Sequence, residues 1–129
     1  MSKWEELDIE SKITQILRDV PDSAPEHHLG RAYLTAYQIA IEFSRLYPDD
    51  AAQLGFLIGG AGAGQRNSLA QYLARQLSRN IGAGKLQHIE GGFLSNQHLK
   101  DISFDTGTKT IHSSLTNTNF TLSMFRLRN

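Results

Sequence analysis

Cysteine is absent from the 129-residue chain, which excludes disulfide bonds, thiolate catalysis and cysteine-type zinc sites and fits a reducing compartment. No run approaches the roughly 18 consecutive apolar residues that a membrane helix needs. The first residues also lack the hydrophobic segment of a signal peptide. We therefore expect a cytoplasmic protein that has no membrane partner. The motifs considered below predict no metal or other cofactor.

The remaining composition predicts one folded domain. Apolar residues make up 40% of the chain and charged residues 20%, a balance that supports a core. The length corresponds to a single domain, since domains cluster at roughly 100–150 residues. We expect an amphipathic helical arm over 1–20, a linker over 21–30 and an α+β domain over 31–129.

Acidic residues are scarce in the second part of the chain. Residues 1–50 carry ten acidic and five basic residues, whereas residues 51–129 carry three acidic and eight basic ones. Between Ala51 and Ile89 there is no acidic residue at all. Such asymmetry indicates an anionic partner such as nucleic acid. The alternative is that the acidic part neutralises the basic part within the same molecule.

Capping boxes predict where the helices begin. A Ser or Thr followed three positions later by Glu or Gln precedes an apolar helical pattern at three places. A further short helix is predicted between Pro48 and Gly55, because its first turn is acidic and Gly55 can end it. The three boxes are Ser2 with Glu5 before a helix over 3–20, Thr35 with Gln38 before 36–47, and Ser68 with Gln71 before 69–81, which Gly82 ends.

The segment 21–30 separates the first helix from the rest of the chain. It contains Pro21, Pro25 and Gly30 among polar residues, a composition typical of a linker. We therefore expect a chain that starts at His28 to remain folded. The apolar stripe of the arm then binds a protein partner or a second copy, or else packs on the domain's own core. Its residues are Trp4, Leu7, Ile9, Ile13 and Leu17.

The C-terminal third predicts strands. Short stretches rich in Ile, Phe and Thr occur at 101–104, 110–115 and 120–128. Residues 105–109 and 116–119 between them have the composition of hairpin loops. The fold class is therefore α+β, mainly helical over the first two-thirds and followed by a small antiparallel sheet.

Helices followed by hairpins are the order of a winged-helix domain, with 69–81 as the recognition helix and 101–115 as the wing. The prediction is a non-enzymatic DNA-binding domain, a regulator or accessory subunit. The alternative functions are a protein-interaction module and a homo-oligomeric structural protein, and the alternative for the basic residues is a solvated helix face. The glycine-rich segment departs from the pattern, because the turn before a recognition helix usually has three or four residues. The predicted DNA contacts are Arg66, Asn67, Ser68, Gln71, Arg75, Arg79, Lys100 and Lys109.

The glycine-rich segment from Gly55 to Gly64 resembles a P-loop, because an apolar stretch leads through glycines into a capped helix. The four residues between Gly59 and Gly64 match the spacing of the two glycines in the P-loop motif. Gln65 and Arg66, however, stand where the motif requires Lys and then Ser or Thr. The resemblance therefore implies anion binding at most, and a flexible connector is the alternative. The candidate anion-binding residues are Gly60, Gly62, Gly64 and Gln65.

Catalytic signatures are missing from the sequence. The five histidines lack the spacing of metal ligands, and no nucleophile elbow singles out a Ser-His-Asp triad. This favours a binding protein over an enzyme.

We expect no productive ATP or GTP site, because the lysine and the magnesium-binding hydroxyl of a P-loop are missing. Calorimetric titration with either nucleotide and magnesium should show no micromolar binding. Micromolar affinity accompanied by hydrolysis would contradict this interpretation of the loop.

Overall fold

A computed structural model describes residues 2–20, 29–56, 58, 68–99, 102–112 and 122–128. Apart from a two-residue first strand, the helices precede the strands, which confirms the α+β class. None of the helices in these ranges is long and apolar enough to cross a bilayer. The elements are α1 (Lys3–Glu6), α2 (Ile9–Arg18), β1 (Leu34–Thr35), α3 (Ala36–Leu46), α4 (Pro48–Leu54), α5 (Leu69–Gly82), β2 (Ile89–Leu94), β3 (Ser103–Asp105), β4 (Thr110–His112) and β5 (Leu122–Leu127).

The single helix predicted over 3–20 is two helices. The Ser2 hydroxyl accepts a hydrogen bond from the Glu5 N–H, as the capping box requires, but α1 ends after four residues. Asp8 then adopts a left-handed backbone with φ of 50°. In one continuous helix Trp4 would point roughly 140° away from Ile9, at 3.6 residues per turn. The break therefore allows Trp4 and the apolar side of α2 to reach the same core.

The apolar side of α2 is part of the domain core. Ile9 and Ile13 are 0% exposed and belong to one hydrophobic cluster with buried residues of α3, α5 and β5. Polar contacts hold α2 in place, since Lys12 pairs with Asp50 of α4 and the Arg31 side chain donates to the Val20 carbonyl at 2.8 Å. Of the two alternatives that the sequence left open for this stripe, the structure shows packing on the domain's own core.

The later helices begin where the sequence predicts, and their ends lie close to the predicted positions. The capping box of Thr35 and Gln38 is complete, and α3 follows directly. Gly55 ends α4 in the left-handed conformation with φ of 73°. The helix α5 includes Gly82 instead of ending before it, because the left-handed turn is made two residues later by Gly84.

The strands pair differently from the expected succession of hairpins. The strand β5 lies between β1 and β2 in an antiparallel sheet of order β1-β5-β2, while β3 and β4 form a separate hairpin. The loop predicted at 105–109 joins β3 to β4, whereas the loop at 116–119 lies outside the described residues. Sequence reasoning missed β1, which has two residues, and β2, whose centre is Gly91-Gly92.

The β3–β4 hairpin packs on α3. The Phe104 ring stacks on the Tyr37 ring with a centroid distance of 5.0 Å and an interplanar angle of 15°. Ile111 of β4 is buried and belongs to the main hydrophobic cluster. The hairpin is therefore attached to the helical core through its apolar side.

Removal of α1 and α2 is expected to abolish cooperative unfolding, the reverse of the expectation from the sequence. Each large apolar side chain contributes about 1.5–3 kcal/mol on burial, against a total stability of about 5–15 kcal/mol. Thermal unfolding of a chain starting at His28, followed by circular dichroism, tests this. A cooperative transition at an unchanged temperature would restore the interpretation of a separable arm.

Point substitutions in the full chain separate the effect of packing from the effect of chain length. Ile13→Ala removes a fully buried side chain and should cost about 2–5 kcal/mol. Ser11→Ala on the exposed side of α2 is the control and should stay within about 0.5 kcal/mol.

Candidate nucleic-acid interface

The helix α5 has one buried and one exposed side. Its apolar residues pack in the core, where α5 contacts α3 and β2. Arg75, Ser78 and Arg79 lie on the exposed side at helical spacing, and the partly buried Gln71 precedes Arg75 by one turn. The structure thus brings two of the predicted arginines onto one accessible helix surface.

The other predicted contacts divide into three cases. Ser68 is 4% exposed, and its hydroxyl accepts the Gln71 N–H at 3.1 Å, so its side chain serves the start of α5. Lys109 is exposed in the turn of the β3–β4 hairpin, which packs on α3. The remaining candidates lie outside the described residues. They are Arg66, Asn67, Lys100, Gly60, Gly62, Gly64 and Gln65.

A groove of about 410 Å³ opens between α5 and the three-stranded sheet. Its walls are largely apolar, and Arg75 and Ser78 add polar groups on the α5 side. The exposed arginine surface of α5 therefore lies next to apolar residues of the sheet. The residues that line it are Ala74, Arg75, Ser78 and Ile81 of α5, Gly91, Gly92 and Phe93 of β2, and Ser123 and Phe125 of β5.

The two adjacent glycines of β2 have different roles. A Cβ atom on Gly91 would lie 3.0 Å from Cδ1 of Phe125, which is the residue paired with Gly91 on β5. Phe125 is buried, so its ring has little room to move. At Gly92 the nearest side-chain atom is Cε of Met124 at 3.9 Å, an ordinary contact. A side chain at position 91 would therefore press on the Phe125 ring, whereas one at position 92 would make ordinary contacts.

Sequence reasoning missed Phe93. Because side chains alternate along a strand, Phe93 lies on the same side of β2 as Gly91 and the buried Ile89. The residue is nevertheless 70% exposed. The residue paired with it on β5 is the small Ser123. The alternation of Ile89, Gly91 and Phe93 is the signal that could have identified it.

A second groove, of about 540 Å³, has the opposite charge. It lies among α2, β1, α3 and β3, and its walls carry Asp19, Glu42 and Asp105. The Arg45 guanidinium hydrogen-bonds the Glu42 carboxylate and lowers its pKa, which keeps Glu42 ionised. This groove is unsuited to an anionic ligand, so α5 is the better candidate.

Among the residues that the structure describes, no group of three or more acidic or histidine side chains is placed to hold a metal ion.

Two further side chains serve packing. Burial raises the pKa of the Tyr72 hydroxyl on α5, and the Tyr72 ring packs on the Phe56 ring at a centroid distance of 5.5 Å. His88 hydrogen-bonds the Thr14 hydroxyl at 3.0 Å and so joins α2 to the segment before β2.

The two glycines provide a matched pair of substitutions. Gly91→Ala forces a methyl group against the buried Phe125 ring and should lower the free energy of unfolding by about 1–3 kcal/mol. Gly92→Ala should change stability little, or raise it by up to about 1 kcal/mol by restricting the unfolded chain. Urea unfolding of both variants measures this difference, and equal effects would contradict the close approach of Phe125.

Comparison of the chain with protein-family models, with curated proteins and with solved structures found no match in any of the three. Function is therefore inferred from the site itself. Its components are an exposed arginine surface on α5 and, beside it, an apolar groove containing an exposed phenylalanine.

Proposed function

We propose that this chain is a non-enzymatic DNA-binding protein, a regulator or accessory subunit built as a winged-helix variant. The order of the elements carries the proposal. The strand β1 precedes α3, α4 and α5, β2 follows them, and β5 returns between β1 and β2. The β3–β4 hairpin lies within the connection from β2 to β5, where a wing would be. In this arrangement α5 is the recognition helix, and the cytoplasmic location stays a prediction.

The charge of α5 and its surroundings supports this role. Arg75 and Arg79 are exposed one turn apart, within a stretch from 51 to 89 that contains no acidic residue. The major groove of DNA, about 12 Å wide, admits an α-helix. Arginine side chains there bind phosphates or the acceptor edge of guanine. The surface of α5 thus fits a polyanionic duplex.

The hairpin departs from an ordinary wing. Phe104 and Ile111 attach it to α3 and the core, and its β3 strand lines the acidic groove. Lys109 lies in the turn of this hairpin, so the proposal gives it only a secondary role in DNA binding. The main DNA contact in the proposal is α5.

In the competing interaction-module hypothesis, the apolar side chains of α1 and α2 bind a partner, but most of these side chains are buried. Trp4 is 7% exposed, and Ile9 and Ile13 are 0% exposed. A partner or second copy could reach these side chains only if the core opened. The exposed arginines of α5 need no such rearrangement to contact a ligand, and their charge favours an anionic one such as DNA.

Removal of the two α5 arginines tests the proposal. The wild type should bind a labelled mixed-sequence duplex saturably at low salt, with affinity that falls linearly with salt on a logarithmic scale. Arg75→Ala with Arg79→Ala should weaken this binding and reduce the salt slope by about 1 for each phosphate that is no longer bound. Fluorescence anisotropy at several salt concentrations measures both effects.

The matched control is Arg18→Ala with Arg45→Ala, which removes two exposed arginines from α2 and α3. It lowers the net charge equally and should leave the affinity nearly unchanged. Stability should stay within about 0.5 kcal/mol in both double variants. Absence of saturable binding by the wild type would overturn the proposal.

A further inference from the structure

Phe93 is an aromatic ring in an unusual position. It lies on an edge strand, on the side of the sheet that elsewhere faces the core, yet 70% of the residue is exposed. Gly91 and Gly92 precede it, so no side chain from either position stands in the groove. Ser123 opposite is too small to cover the ring. Of the two phenylalanines that line this groove, Phe93 is therefore the one that is exposed.

Arg75 lines the same groove from α5. An aromatic face beside a cationic side chain is the combination that binds single-stranded nucleic acids, in which bases stack on the ring and phosphates meet the charge. The groove volume of about 410 Å³ falls in the range of roughly 300–1,000 Å³ typical of small-ligand pockets. The stretch without acidic residues around Arg75 favours an anionic ligand over an apolar peptide.

We propose that the groove between α5 and β2 binds an unpaired nucleobase, which stacks on Phe93 while Arg75 contacts the adjoining phosphate. This inference rests on the proposed function and specifies its substrate. Bases within a duplex already stack on their neighbours, and only an unpaired base offers a free face. The base comes from a single-stranded segment or from the frayed end of a duplex held on α5.

Three labelled probes of one sequence separate these sources: a blunt duplex, a forked duplex and a single strand. The wild type should bind the forked or the single-stranded probe more tightly than the blunt duplex. Tighter binding of the forked probe identifies a duplex end as the source, and tighter binding of the single strand identifies a free segment. A blunt duplex bound as tightly as the other two probes would overturn the proposal.

Phe93→Ala should weaken binding of the probes with unpaired bases by roughly 5- to 150-fold, the usual effect of removing the ring on which one base stacks. Binding of the blunt duplex should change little. Phe93→Tyr keeps an aromatic face and should retain the affinity. Leu29→Ala is the control, because Leu29 is similarly exposed, at 62%, and does not line the groove.

Phe93→Trp provides a direct readout of stacking. Trp4 is the only tryptophan of the chain and is buried, so the new indole would be the exposed fluorophore. Its emission should be quenched on addition of the single strand. Unchanged emission at saturating single strand would contradict stacking at position 93.

The outcomes distinguish failure of this inference from failure of the proposed function. Absence of binding to all three probes overturns both. Intact duplex binding with equal affinities of wild type and Phe93→Ala for every probe overturns only the stacking site. Binding of an unlabelled apolar peptide that displaces no nucleic acid, together with that equality, would assign the groove to a peptide instead.

Discussion

Burial of α3 is the constraint on which the rest of the structure depends. Ile39, Ala40 and Phe43 are 0% exposed, and Tyr37 on another side of the helix is nearly so. A helix that is apolar on several sides must be covered on several sides. The elements α2, α4, α5, β1 and β5 contact it, and the Phe104 ring of the hairpin stacks on Tyr37. The other helices and the strands are thus arranged around α3, the central helix of the fold.

Charged side chains then join segments that are distant in sequence. Arg126 of β5 pairs with Glu90 of β2, lies over the Tyr33 ring at 4.4 Å, and donates to the carbonyls of Leu29 at 2.6 Å and Arg31 at 3.0 Å. A guanidinium has five N–H donors, which suits it to so many partners. Arg126 therefore attaches the segment before β1 to the sheet, and the position of β1 beside β5 depends in part on this contact.

Acidic and basic side chains lie on different surfaces of the folded chain. Three acidic residues line the groove among α2, α3 and β3, while the exposed side of α5 carries arginines and lies next to an apolar groove. Intramolecular neutralisation, the alternative to an anionic partner, requires acidic and basic side chains in contact. Some of the basic residues are paired in this way, such as Lys12 with Asp50 and Arg126 with Glu90. Intramolecular neutralisation accounts for these pairs, and the proposal of DNA binding depends on the exposure of Arg75 and Arg79 on one side of α5.

The sequence by itself determined the starts of α1, α3 and α5 and the end of α4, because a capping box and a left-handed glycine act within four residues. It also indicated the exposed arginines of α5, since helical periodicity is local. Only the tertiary structure decided that α2 belongs to the core, that β5 pairs with β1 and β2, and that Phe93 is exposed. Strand pairing joins residues far apart in the chain, such as Leu34 and Phe125, and burial depends on what lies opposite a side chain. Neither can be read from the spacing of neighbouring residues.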